Sequence, residues 1–148
     1  MQIDNIQEIK ELREKLEGLE SRILKPTLTD FTHIPLLFDW YKSITGQIND
    51  FYRSGSTEDK QVYLFVILML YCPRSLSGGF MIYGLRQRLA IQLGLSPVHI
   101  SNLIKNISFY YKKYGTFRDS CDLVLSEIQK LINNKILELV KRRDYGEG

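Results

Sequence analysis

RQRLAIQLGLSPVHISNLIK, residues 86–105, is the stretch on which the reading of this chain turns. Counting Arg86 as the first position, alanine falls fifth (Ala90), glycine ninth (Gly94), isoleucine fifteenth (Ile100) and leucine eighteenth (Leu103). Each residue type has a steric reason. A small Ala90 lets a second helix cross close to the first. Gly94 can end the first helix in the left-handed conformation, which costs a residue without Cβ little. Ser96 can accept a hydrogen bond from the free amides of the second helix, and Pro97 suits a first turn where no N–H is required. Ile100 and Leu103, three apart, would then pack back onto Leu89 and Leu93. The pattern predicts two short helices joined by a tight turn.

Charge singles out the same region. Residues 1–60 hold eight Lys/Arg against eleven Asp/Glu, and residues 61–148 hold twelve against six. No carboxylate occurs from Gln61 through Arg118, yet Arg74, Arg86, Arg88, Lys105, Lys112, Lys113 and Arg118 all lie there. Part of this stretch is plain core, since residues 62–71 are nearly all apolar. That explains one helix and not the remainder. A polyanionic partner explains the rest, because a carboxylate at such a surface would repel phosphates.

Residues 86–105 resemble the helix-turn-helix DNA-binding domains of bacterial and phage proteins. The resemblance covers these twenty residues. The connection CPRSLSGGFMIYG before them is reminiscent of uncharacterised prophage and mobile-element proteins, with no activity attached. The resemblance implies a second helix that enters the major groove and presents Ser96, Pro97, Val98, Ser101 and Asn102 to base edges. Asn102 would be the direct reader, bonding adenine through its amide, and Val98 could touch a thymine methyl. Lys105, Lys112 and Lys113 would grip phosphates, with Arg86 and Arg88 joining from the first helix. No arginine or glutamine stands at a base-contacting position, so sequence preference should be modest. His99 reads as a surface residue.

The rest of the chain reads as all-α: an N-terminal coiled-coil-like arm (1–24), a linker (25–33) and a helical domain (34–148). In the arm, Ile9, Leu12, Leu16, Leu19 and Ile23 recur alternately three and four apart, a heptad seam with Ile9, Leu16 and Ile23 at a. In a parallel dimer Glu8 faces Arg13 of the second chain, and Lys15 faces Glu20. The alternative is that this helix packs on its own domain. A helix is expected from about Pro35 to Arg53, its aromatic stripe read as core. Another is expected over residues 60–71 after a cap at Ser56 or Thr57. The second helix of the motif is expected to continue to about Tyr114, because Ile107, Tyr110, Tyr111 and Tyr114 prolong its apolar stripe. A last helix runs from about Phe117 to Arg143 and carries Leu123, Val124, Ile128, Leu131, Ile132, Ile136, Leu137 and Val140, with Lys141, Arg142 and Arg143 at its solvated end.

Arg74, with Ser75 and Ser77 before Gly78–Gly79, is either a phosphate contact or a structural turn. It is no nucleotide-binding loop, since the Gly-Lys-Ser/Thr ending is missing. Cys72 and Cys121 lack metal-ligand spacing and read as reduced thiols. The start of the chain has no apolar core or cleavage site of a signal peptide, and VYLFVILMLYC is too short to span a bilayer, so the expected location is the cytoplasm. No cofactor or metal is expected. The chain is not read as an enzyme; DNA nicking by Tyr110, Tyr111 or Tyr114 beside Arg74, Arg86 and Arg88 is the one catalytic idea the residues offer. The expected function is double-stranded DNA binding as a homodimer or higher homo-oligomer, by a small regulator or a DNA-recognition subunit. The alternative is a structural or protein-interaction protein that uses its basic face on a protein partner.

Overall fold

A computed structural model describes residues 3–144 and the side chains of residues 4–22 and 24–135. Ile23 of the arm seam, Ile136, Leu137 and Val140 of the last stripe, and Lys141, Arg142 and Arg143 lie outside the described side chains. The described chain is all-helical. The α-helices are α1 Ile3–Ile23, α2 Ile34–Gly46, α3 Thr57–Tyr71, α4 Leu85–Leu93, α5 Pro97–Lys105, α6 Ile107–Lys113 and α7 Gly115–Asp144. Two 3₁₀ turns, Phe31–His33 and Pro73–Ser77, lie between them. Among the described residues no helix is long and apolar enough to cross a membrane.

The centre of the fold is α3. From Gln61 to Tyr71 every residue but Met69 is buried, as expected of a helix that is apolar on all sides. Its start is polar and well capped. Ser56 Oγ accepts from the Asp59 amide at 3.2 Å, and Glu58 and Asp59 complement the positive end of the helix dipole. The Asp59 carboxylate accepts from the Tyr41 hydroxyl at 2.6 Å and from the Gly55 amide at 2.9 Å. One side chain thus anchors the loop before α3 and ties α2 to it.

Around α3 each helix contributes an apolar stripe. Ile34, Leu37 and Tyr41 come from α2, Leu85, Leu89 and Ala90 from α4, and Ile100, Leu103 and Ile104 from α5. Ile107 comes from α6, and Phe117, Cys121, Val124, Ile128 and Ile132 from α7. Full burial of one such side chain stabilises the fold by roughly 1.5–3 kcal/mol. Cys72 and Cys121 are buried free thiols.

Two helices end earlier than their apolar spacing predicts. The helix expected to Arg53 stops at Gly46. Ile48, Phe51 and Tyr52 still pack on the core, but from an irregular segment in which Asp50 takes φ +61°. The helix expected to reach Tyr114 breaks at Asn106, and α6 begins at Ile107. The break lets α6 lay Tyr111 flat on Phe65 of α3, with ring centroids 5.2 Å apart. Burial continues across the break, and regular helical hydrogen bonding does not.

The arm and linker behave differently from each other. Along α1, Ile6, Ile9, Leu12, Leu16 and Leu19 remain 45–57% exposed, so its seam is not packed on its own domain. The linker is pinned. The Thr27 and Leu28 amides both donate to the Leu70 carbonyl at 2.9 Å, and Phe31 stands edge-on to Tyr71.

Candidate nucleic-acid interface

Helices α4 and α5 are joined through residues 94–96, whose hydrogen bonds follow from side-chain type. Gly94 has φ +68°. Its amide bonds the Ile91 carbonyl at 3.3 Å, and the Leu95 amide bonds the Ala90 carbonyl at 2.9 Å. Together these satisfy the last carbonyls of α4 in a Schellman arrangement. Ser96 Oγ accepts from the His99 amide at 3.1 Å, and Pro97 opens α5. From below, α3 holds this pair at two points. The Tyr63 hydroxyl donates to Gln92 Oε1 near the end of α4, and Gln61 Nε2 donates to the Leu103 carbonyl near the end of α5 at 3.2 Å. Burial holds the Tyr63 phenol protonated, so it remains a donor.

The outward side of α5 follows from what is buried. Ile100, Leu103 and Ile104 face the core, which leaves Ser96, Pro97, Val98, His99, Asn102 and Lys105 exposed. Ser101 is half-buried, and its hydroxyl donates to the Pro97 carbonyl at 3.2 Å; it is therefore partly withdrawn from the base-contacting set. Among the described residues the Asn102 amide has no hydrogen-bond partner. The face offers an apolar patch at Pro97 and Val98, an amide that both donates and accepts at Asn102, and a cation at Lys105.

The basic residues divide into two groups. Arg86 is exposed and, four positions from buried Ala90, shares its flank of α4. Arg74 is exposed in the 3₁₀ turn Pro73–Ser77. That turn is closed by its own side chains: Ser75 Oγ donates to the Cys72 carbonyl at 2.7 Å, and Ser77 Oγ to the Arg74 carbonyl at 2.9 Å. It is also fastened to α6, because Ser108 Oγ donates to the Leu76 carbonyl. Lys112, four residues after Ser108, lies on that same face of α6. The turn that carries Arg74 therefore meets the Lys112 face at the start of α6, two residues beyond Lys105.

Arg88 and Lys113 are not brought to this group. Residues two apart on a helix do not share a face, so Arg88 points away from Arg86. Its guanidinium lies 5.7 Å from the Phe31 ring centroid. Asp30 lies nearby, its carboxyl held below the usual range chiefly by hydrogen bonds from Thr32, with smaller contributions from His33 and Arg88. Lys113 lies over the rings of Phe109 and Tyr114, at 5.2 and 5.8 Å. It borders a cleft of about 620 Å³ that also includes Glu58 and Tyr52. The break at Asn106 accounts for this, since in one continuous helix Lys105, Lys112 and Lys113 would run along a single axis.

Three exposed apolar side chains in and before α4 have no place in the sequence-predicted site. Phe80 is 94% exposed, Tyr83 93% and Ile91 83%. The available signal was position: Phe80 follows Gly78–Gly79 and Tyr83 precedes Gly84, so both stand in a connection bounded by glycines. Gly78 and Gly84 have φ +90° and +87°.

The tyrosines of α6 are built into packing. The Tyr111 hydroxyl donates to Asp122 Oδ1 at 2.7 Å. That hydrogen bond, then burial, pushes its pKa up to about 12, away from what an attacking phenolate requires. Among the described residues no group of His, Cys, Asp and Glu could hold a metal ion. Comparisons with known protein families, curated proteins and solved structures gave no match.

Proposed function

We propose that this protein binds double-stranded DNA through the exposed face of α5, as a small regulator or the recognition subunit of a larger assembly. Asn102 and Val98 meet base edges in the major groove, while Arg86, Lys105, Arg74 and Lys112 contact phosphates. One observation carries the reading. An exposed polar helix face, rigidly capped and held from below by Gln61, lies inside a 58-residue stretch, residues 61–118, that contains no carboxylate. Arg88 and Lys113, each placed over aromatic rings, are left out of the phosphate set; Arg74 shares a cleft with Glu17 and Glu20 of α1 and is the outermost member of the set.

The test is a fluorescence-anisotropy titration of the protein with random duplex DNA at about 50 and 200 mM salt. Four phosphate contacts give a slope of about −3.6 in log affinity against log salt, so affinity should fall by roughly two orders of magnitude. Absence of binding at the lower salt would refute the proposal. A second reading has its own observation: Phe80, Tyr83 and Ile91, all strongly exposed, suit a protein partner. Retention of such a partner at high salt, with silence toward DNA, would favour it.

A further inference from the structure

Among the described residues, the apolar seam of α1 is not buried within its own chain. Ile9, Leu12, Leu16 and Leu19 are each about half exposed, whereas α2 to α7 bury at least one apolar stripe. The body of the domain approaches α1 from another side. Arg13, Leu16, Glu17, Glu20 and Ser21 form a shallow cleft with Arg74, Gly79 and Phe80. At 100° per residue this contact centres near Arg13, about a quarter-turn from the line joining Leu12, Leu16 and Leu19. Ile9, Leu12 and Leu19 lie clear of this cleft, while Leu16, Arg13 and Glu20 stand at its edge.

We propose that a second copy of this chain covers the seam, with the two α1 helices parallel and in register as a two-stranded coiled coil. Charge selects both partner and direction. In the parallel arrangement Glu8 of each chain meets Arg13 of the other, and Lys15 meets Glu20, so every flanking pair has opposite sign. In the antiparallel arrangement that keeps the apolar layers, Ile9 lies against Leu19 and Leu12 against Leu16 of the second chain. Lys15 then falls beside its own counterpart, and so does Arg13. The antiparallel pair repels itself at the centre of the arm, where the parallel one attracts throughout. The proposal does not rest on DNA binding, since association through α1 is read without nucleic acid.

The experiment uses the full chain without DNA. Light scattering across a concentration series should give a mass moving from one chain to two, and Ile9→Asp/Leu12→Asp should hold it at one while leaving the thermal transition of the core in place. Glu8→Lys/Glu20→Lys should weaken association about tenfold, and adding Arg13→Glu/Lys15→Glu should restore it. Direction is read by oxidation. Leu12→Cys should form a disulfide-linked dimer, with buried Cys72 and Cys121 silent. Mixed Ile9→Cys and Leu19→Cys chains, one carrying a mass tag, should link only like with like. A single-chain mass at every concentration, a trimeric mass, or a disulfide joining an Ile9→Cys chain to a Leu19→Cys chain would each overturn the proposal.

Discussion

Gln61 is the buried polar residue among the described core positions, 2% exposed, and its amide donates to the Leu103 carbonyl at 3.2 Å. Consider Gln61→Leu. The substitution keeps an apolar side chain of similar length in the core but removes the donor. Leu103 lies in the last turn of α5, where backbone carbonyls lack helical partners. A buried acceptor deprived of its partner costs about 1–3 kcal/mol. The added leucine surface offsets part of this, which places the loss nearer the lower figure. For a chain of this length 1 kcal/mol corresponds to roughly 2–4 °C, so the midpoint of thermal unfolding should fall by about that much. Circular dichroism at 222 nm measures it. Duplex affinity should also fall, because the end of α5 is released from α3, but the salt slope should hold since no phosphate contact is lost. An unchanged or raised unfolding midpoint would refute the reasoning, as would a changed salt slope.

Three further outcomes are expected. Asn102→Ala should lower discrimination at one base position by about 1–3 kcal/mol, while Lys105→Ala should weaken all duplexes alike and flatten the salt slope by about one unit; equal effects in both titrations would sink that division of roles. Gly94→Ala meets no atom within 4 Å but must adopt φ +68°, so denaturant unfolding should show a loss of about 1–2 kcal/mol, and no loss would mean the turn between α4 and α5 takes another form. Burial pushes the Cys121 thiol from about 9 up to about 12. A thiol that keeps its proton to higher pH when folded contributes stability that is present below pH 9 and lost as the pH rises towards 12. Folded protein at pH 8 should leave Cys121 untouched by a disulfide reagent and denatured protein should not, prompt labelling of the folded form being the contrary result.

Residue chemistry made the local features legible. Ser56, Ser96, Pro97 and Gly94 each have a side-chain reason to start or stop a helix, and each is found in that position. The all-apolar run of α3 and Val124, Ile128 and Ile132 of α7 are equally direct statements of burial, whereas Leu123, read with them, is 46% exposed. The breaks at Gly46 and Asn106 were not legible from spacing, because Ile48, Phe51, Ile107 and Tyr111 stay in the core on either side of them. Periodicity reports what is buried and is indifferent to a change of axis. The faint signal is composition: Asn106 is a weak helix former that competes for nearby backbone groups, and Gly46, Asn49 and Asp50 are turn residues. At the candidate interface the sequence gathered six cations, while the fold sets Arg88 on Phe31 and Lys113 on Phe109 and Tyr114. Cation–ring contacts across 57 residues of chain, as between Arg88 and Phe31, leave no trace in a local pattern. The exposure of Phe80 and Tyr83 is hidden for the opposite reason, since an aromatic residue in a connection is ordinarily assumed to fold inward.

The two amides of Thr27 and Leu28 that share the Leu70 carbonyl shorten the free joint between arm and domain to residues 24–26, and one of those is Pro26. A joint so short works as a bracket and not as a tether. Two copies held along α1 would present their α5 faces at a nearly fixed separation and rotation. Each added base pair between half-sites turns one of them by roughly a tenth of a helical turn. Such a pair would measure the phase of its two half-sites more strictly than it reads their letters, gaining from geometry the selectivity that Val98 and Asn102 alone supply sparingly.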